Sequence, residues 1–262
     1  MLHLFINLEK SLARRQLLEK ELSKLSIQFE RIPAIDGNEL CMEYIKSIKP
    51  NILSTKKLWF PYSLIKTEYA CFLSHRNCWQ RLVDSNEDFA LILEDDIKFT
   101  PGAGPYIANS DWIPQNIHLV QLCAPFASPQ VLQVKNNTIS IQNNKGLLYE
   151  VVSPTAIGAI AYIISREAAE ESIKLTTKIS APVDEFLFSP KSPLRKKYPV
   201  FKINPGIGYQ NGLTSTISTS PRNGSKPLVA RIHPYSIMLK LKILFLQIIN
   251  PKKIRFRSQY KD

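Results

Sequence analysis

Several common signatures are missing from this 262-residue chain. Glycine is scarce, at nine residues, and none fall in a G-x-G-x-x-G or G-x-x-x-x-G-K-[ST] pattern, which leaves dinucleotide and P-loop readings unsupported. No G-x-S-x-G elbow occurs, so a Ser-His-Asp hydrolase has no anchor. The four cysteines (Cys41, Cys71, Cys78, Cys123) include no C-x-x-C pair, which argues against a zinc site of the usual spacing. Cys71 and Cys78 lie seven positions apart on an expected helix, about 10 Å between Cα atoms, too far for a disulfide. They read as reduced core thiols of a cytoplasmic protein. No uncharged apolar run reaches the roughly 18 residues that span a bilayer. The first residues lack the basic stretch and small-residue cleavage site of a signal peptide, and read instead as a strand. Acidic residues are also in deficit, 22 against 34 basic ones, for a net charge of +12 that favours anionic partners. Aromatic and basic residues do not interleave in a nucleic-acid-binding motif, so no nucleic acid is expected.

Hydrophobic residues make up 44% of the chain, enough for a globular core. Leu2–Leu8 is a nearly continuous apolar run, as in a strand covered on both faces. A helix follows, with Ser11 as its expected cap and Leu18, Leu22 and Leu25 at helical spacing, then a strand over Ile27–Ile32. Strand, helix and strand in about thirty residues make a βαβ unit and hence a parallel sheet. Residues 41–62 read as irregular, a possible mobile lid. Thr67 is the expected cap of a helix that runs to about Val83. Phe89–Leu93 and Ile117–Leu122 read as strands, Val131–Gln142 as a hairpin around Asn136-Asn137, Ile157–Ile164 as a strand and Arg166–Leu175 as a helix. Residues 176–227 read as loops around a site.

The chemistry concentrates in Glu94-Asp95-Asp96 at the end of the Phe89 strand. Three adjacent carboxylates repel one another, and a cation among them or screening water relieves the repulsion. Such oxygen ligands suit Mg²⁺ or Mn²⁺, and ligands of open α/β sheets bind at the carboxyl ends of strands. Read alone, the triplet is equally a solvated acidic turn. Asn7 ends the first strand, and Arg14 or Arg15 is placed to reach a diphosphate or to hold the loop. Asp36-Gly37 is a turn by composition. His75 lies on a helix, where a lone histidine is commonly packed or solvated.

Taken in order, these segments resemble glycosyltransferase family 25, the lipooligosaccharide galactosyltransferase type. The resemblance rests on Ile6-Asn7-Leu8 with Arg14-Arg15, Ala34-Ile35-Asp36-Gly37, Glu68-Tyr69-Ala70-Cys71-Phe72-Leu73-Ser74-His75 and Leu93-Glu94-Asp95-Asp96-Ile97. It continues with Gly158–Ser165, Pro182-Val183-Asp184, and Gln210 with Ser215-Thr216-Ile217. Thr67 stands where that family often has glycine.

The resemblance implies an α/β fold: a GT-A-like, Rossmann-type mixed, mostly parallel sheet flanked by helices, here with a basic C-terminal tail. The catalytic domain is expected over residues 1–230 and the tail over 231–262. The implied activity is inverting transfer of a sugar, galactose from UDP-galactose, onto a lipid-linked lipooligosaccharide or lipopolysaccharide core saccharide. Glu94 and Asp96 take the role of metal ligands for Mn²⁺ or Mg²⁺. Asn7, Arg14, Asp36, Gly37, His75 and Asp95 build the donor pocket. Asp184 is the expected general base, with Glu185 or a helix-capping role for Asp184 as alternatives. The tail, Arg231–Asp262, carries eight basic residues and one acid around the apolar stretch Ile237–Ile249. It suits attachment to an anionic bilayer surface, which places the enzyme on the cytoplasmic face of a bacterial inner membrane. Two other readings share parts of these features: another metal-dependent nucleotide-using transferase, and a non-catalytic basic lipid- or nucleic-acid-binding protein.

Overall fold

A computed structural model of the chain describes residues 1–50, 63–124, 130–141, 146–153, 158–210 and 252–256. The first half runs β1 (Leu2–Asn7), α1 (Leu12–Ser23), β2 (Glu30–Pro33), α2 (Met42–Ile48), α3 (Lys66–Val83), β3 (Phe89–Glu94), β4 (Ile97–Phe99) and α4 (Gly104–Ile107). It continues with β5 (Leu119–Gln121), β6 (Gln130–Ser140), β7 (Leu147–Val151), β8 (Ala161–Ser165), α5 (Arg166–Leu175), α6 (Val183–Phe188), α7 (Pro193–Lys197), β9 (Phe201–Asn204), β10 (Gly208–Gln210) and β11 (Lys252–Phe256).

The main sheet has nine strands in the order β11-β6-β7-β9-β5-β8-β3-β1-β2. Strands β1, β2, β3, β5, β6 and β9 run one way, and β7, β8 and β11 the other. The sheet is therefore mixed, as expected for this α/β class. Its β2–β1–β3 end is wholly parallel, so Asn7, Pro33 and Glu94 reach the same edge.

Period-two alternation divides the core in two. In β3, Ala90 and Ile92 pack on one side of the sheet, while Leu91 and Leu93 pack on the other. All four are fully buried, which is why this strand reads as an unbroken apolar run. Helix α3 lays Phe72, Trp79 and Leu82 on the first face, and α1 lays Leu18 and Leu22 on the second. The Arg166 guanidinium donates to the carbonyls of Val83, Ser85 and Glu87, fixing the α3–β3 turn from the far side.

Four local expectations need correction. Helix α3 is capped two residues earlier than Thr67: Ile65 is its N-cap, and Glu68 Oε2 accepts from the Ile65 N–H at 2.9 Å. The Thr67 hydroxyl is buried without a hydrogen-bond partner. The stretch after residue 41 is not wholly irregular, since Cys41 caps helix α2, its Sγ accepting from the Tyr44 N–H. Residues 51–62, the rest of the expected lid, lie outside the described residues. Asn136-Asn137 does not turn a hairpin. It sits within the single eleven-residue strand β6, where the pairing with β7 shifts register between Val134 and Thr138. An Asn pair suits a bulge as well as a turn, and here the long-range ladder decided. Finally, the expected loops after residue 176 contain α6, α7, β9 and β10.

Candidate functional site

The β3 chain leaves the sheet at Glu94, turns through Asp95-Asp96 and returns as β4, which pairs antiparallel with β10. That turn forms the floor of a cavity of about 650 Å³. The end of β1 and the start of α1 supply Asn7, Lys10 and Arg14 to its lining. The β2–α2 connection supplies Asp36 and Gly37, and α3 supplies Cys71 and His75. Gly158–Ile160, the start of α6 with Asp184 and Glu185, and Gln210 close the remaining sides. Every residue assigned to the site from the sequence lines this one cavity.

Hydrogen bonds fix the acidic turn. Asn7, 1% exposed, donates Nδ2–H to Asp95 Oδ2 at 2.7 Å. Its own Oδ1 accepts from Arg31 Nε, a partner the sequence did not single out. Arg14 Nη2 lies 2.5 Å from Asp95 Oδ1 and 3.3 Å from Asp96 Oδ2. Arg15 pairs instead with Glu19 on the same helix, and of the two arginines only Arg14 lines the cavity. Gln210 Nε2 donates to Asp96 Oδ2 at 2.8 Å. Asp96 is 4% exposed, and its Oδ1 is buried with no partner. Burial pushes both carboxyls above their ordinary range. For Asp96 the neighbouring Glu94 adds to the rise, while Gln210 and Arg14 oppose it.

His75 is buried, and both its ring nitrogens are engaged: Nε2 with Glu94 Oε1 at 3.1 Å, Nδ1 with the Tyr162 hydroxyl at 3.0 Å. Trp79 Nε1–H donates to that same hydroxyl at 2.9 Å. An ionised Glu94 only accepts, so Nε2 carries the proton in this arrangement. Asp36 pairs with Lys10 and accepts from the Asn38 N–H, and both hold its carboxyl below the ordinary value, Lys10 most. Ser74 Oγ accepts from the Ile35 N–H and donates to Ala70 O, locking this connection to α3. Gly37 lies so close to α3 that a Cβ there would come within 2.8 Å of Thr67 Cα. At α6, Asp184 follows the N-cap Pro182, and its Oδ1 accepts from the Glu185 N–H at 2.9 Å. Burial chiefly, with Glu185 and Glu94 nearby, raises the Asp184 carboxyl to about 6.

Seven acidic side chains line the cavity: Asp36, Glu68, Glu94, Asp95, Asp96, Asp184 and Glu185, against the cations Lys10 and Arg14. A strongly basic protein thus holds an acidic pocket. The residues fit a hard divalent cation. The donors are carboxylate oxygens, and Asp96 Oδ1 is a buried acceptor with nothing to accept from.

Sequence reasoning missed Lys10 and Arg31. Lys10 had no local signal, and Arg31 carries strand-register information that only pairing reveals. Tyr162 and Gln210 belonged to recognised segments, but their roles come from the β3–β8 and β4–β10 pairings. Ser215-Thr216-Ile217 lies outside the described residues.

Comparison with known proteins follows the same lines. The chain is similar to the lipooligosaccharide biosynthesis protein lic2B of Haemophilus influenzae, 26% identical over 79% of this chain and 75% of that one. It is similar to the lacto-N-neotetraose biosynthesis glycosyltransferase LgtB of Neisseria meningitidis, 24% identical over 77% of this chain and 71% of that one. It is 28% identical to human procollagen galactosyltransferase 2 over 70% of this chain, but spans only 29% of that longer protein. A solved glycosyltransferase involved in glycosylation of the major capsid of PBCV-1 superposes with a TM-score of 0.40 at 11% identity, covering 81% of this chain and 93% of that one, too loose a likeness to argue from. Residues 1–187 match the family described as glycosyltransferase family 25 (LPS biosynthesis protein), and this chain is a glycosyltransferase belonging to that family.

Proposed function

We propose that this enzyme transfers galactose from UDP-galactose, with inversion, onto a saccharide of a lipid-linked lipooligosaccharide core. The observation that carries the reading is the acidic cavity floor, where Asp96 keeps a buried, unpartnered carboxylate oxygen. A nucleoside diphosphate is itself anionic. A pocket with seven acidic side chains and two cations repels it unless a divalent cation stands between them. Asp96 and Glu94 would hold Mn²⁺ or Mg²⁺, which when bound supplies charge stabilisation for the departing diphosphate.

The chain's own residues divide the remaining work. Arg14 ties the turn and offers its guanidinium to the diphosphate side of the pocket. Asn7 keeps Asp95 oriented. Asp36, Gly37 and His75 shape the donor wall. Asp184 takes the proton from the attacking acceptor hydroxyl. Its raised carboxyl is matched to that task, since a base near the working pH both ionises and accepts well. Inversion follows from a single in-line displacement, in which the hydroxyl oxygen bonds the anomeric carbon as the carbon–oxygen bond to the diphosphate breaks.

The names of the relatives support a lipooligosaccharide acceptor and a galactose donor. Among the described residues no helix is long and apolar enough to cross a membrane. We assign contact with a lipid-linked acceptor to the basic tail, on an anionic bilayer surface at the cytoplasmic face of an inner membrane. The exposed Lys252, Lys253 and Arg255 of β11 support this. The apolar stretch Ile237–Ile249 lies outside the described residues.

A donor screen that reads released nucleoside diphosphate, with and without Mn²⁺ or Mg²⁺, tests the proposal. UDP release from UDP-galactose, dependent on metal and on a terminal saccharide acceptor, is the expected result. Release of pyrophosphate from a nucleoside triphosphate instead would establish a nucleotidyl transfer and overturn it.

A further inference from the structure

The donor cavity holds a second ligand set that the sugar-transfer reading does not use as a unit. Cys71 and His75 stand four residues apart on α3, so their side chains share one face of the helix. Glu94, from the tip of β3, meets them there. The Cys71 sulfur, a His75 ring nitrogen and a Glu94 oxygen all lie within 4.8 Å of one another.

We propose that Cys71, His75 and Glu94 form a binding site for a borderline-soft divalent cation of the Zn²⁺ type, chemically distinct from the all-oxygen Glu94–Asp96 pair, with which it shares Glu94.

The donor chemistry separates the two sites. Thiolate and imidazole favour Zn²⁺, whereas carboxylate oxygens favour Mg²⁺ and Mn²⁺. Ligand atoms on a tetrahedral zinc sit about 3.4–3.6 Å apart, given the usual bond lengths. His75 Nε2 and Glu94 Oε1 are already 3.1 Å apart. A rotation of the Cys71 side chain brings the third donor in. All three residues line the cavity, from which a fourth ligand would reach the ion. The outer support is in place as well: the Tyr162 hydroxyl meets the other nitrogen of His75 at 3.0 Å and is itself held by Trp79.

The protons balance. Without the cation, His75 Nε2–H donates to Glu94. With a cation on Nε2, the imidazole proton would reside on Nδ1 and be donated to the Tyr162 oxygen, whose own hydroxyl hydrogen would turn away from His75. The Cys71 thiol loses its proton to solvent as the metal–sulfur bond forms, so one proton is released per ion. A cation held here withdraws Glu94 from the acidic turn.

The test uses the purified full chain and Co²⁺ as the probe, and needs no sugar substrate, so its outcome is independent of the donor assignment. One equivalent of Co²⁺ is expected to give a near-ultraviolet thiolate-to-cobalt absorption band. Loading the metal-free protein with Co²⁺ or Zn²⁺ should release one proton per ion, Zn²⁺ should displace bound Co²⁺ and abolish the band with no further proton release, and excess Mg²⁺ should leave it standing. Cys71→Ser and Cys71→Ala should both lose the band. His75→Asn should weaken Zn²⁺ binding by at least about tenfold, since even outer-shell partners carry that much. Circular dichroism confirms that the variants are folded. No band in the wild-type protein, or a band that survives both Cys71 substitutions, would overturn the site. Loss of the band to excess Mg²⁺ would overturn its distinctness.

Discussion

Arg14 reaches across from α1 and grips Asp95, its Nη2 lying 2.5 Å from Oδ1, and the same nitrogen sits 3.3 Å from Asp96. One cation thus serves two adjacent buried carboxylates. Arg14→Ala should leave them facing each other uncompensated, at a cost on the order of 3 kcal/mol. The expected result is a lower melting temperature in metal-free buffer, partly recovered by Mn²⁺, and at least tenfold weaker UDP binding by calorimetry. Unchanged UDP affinity would remove Arg14 from the donor pocket.

Asp96→Asn keeps the size of the side chain and the acceptor for Gln210, but loses the charge. Metal-stimulated turnover should fall by about 10²-fold or more, the scale seen when one charge-stabilising group is removed. The melting temperature in metal-free buffer should not fall. Calorimetry with nucleotide, with and without Mn²⁺, measures the same loss. Metal dependence that matches the wild type would assign the cation elsewhere.

Asp184 sets an expected pH dependence. A base must be ionised, and this carboxyl titrates near 6, so turnover should rise through about pH 6 and level off above it. Asp184→Asn should fold, bind donor and lose both turnover and that acidic limb. Stability moves the other way. A carboxyl raised in the folded state contributes stability that is complete below its unfolded value and is lost as pH climbs through 6. The neutral asparagine should therefore raise the melting temperature at pH 7–8 by about 2–4 °C. Wild-type turnover in this variant would pass the role to Glu185.

Gly37 allows the β2–α2 connection to touch the start of α3. Gly37→Ala places a methyl 2.8 Å from the Thr67 Cα, a backbone atom that cannot swing aside. A loss of about 1–3 kcal/mol in chemical denaturation is expected, with weaker donor binding as Asp36 shifts. Wild-type values for both would show that the two segments separate freely.

The tail should be tested by charge rather than by deletion. Lys252–Phe256 pairs with β6, and Phe256 is fully buried against Tyr149, so removing the tail also removes a strand. Lys252→Glu with Lys253→Glu leaves that packing intact. Co-sedimentation with anionic vesicles should weaken by about fivefold or more for each lysine, at roughly 1 kcal/mol apiece near a charged surface. Equal binding by wild type and variant would end the membrane role of these lysines.

The site was legible in the sequence to different depths. Glu94-Asp95-Asp96 was visible because a strand buried on both faces is an unbroken apolar run, and charge at its end is conspicuous. Asn7 was visible for the same reason at the end of β1. Arg14 and Arg15 could not be separated, since neighbours at a helix start differ only in azimuth, and which one faces the turn depends on how α1 packs. Asn136-Asn137 misled because the same residues serve a turn and a bulge.

The sequence by itself determined the alternation of buried strands and amphipathic helices, the acidic triplet at a strand end, and the ordered motifs that identify the family. Hydrophobic periodicity and residue chemistry are local properties, readable along one dimension. Tertiary structure alone decided that Lys10 meets Asp36, that Gln210 meets Asp96, and that Cys71, His75 and Glu94 converge on one point. Those pairings join segments distant in sequence, and they follow from strand order and helix docking, which no local pattern encodes.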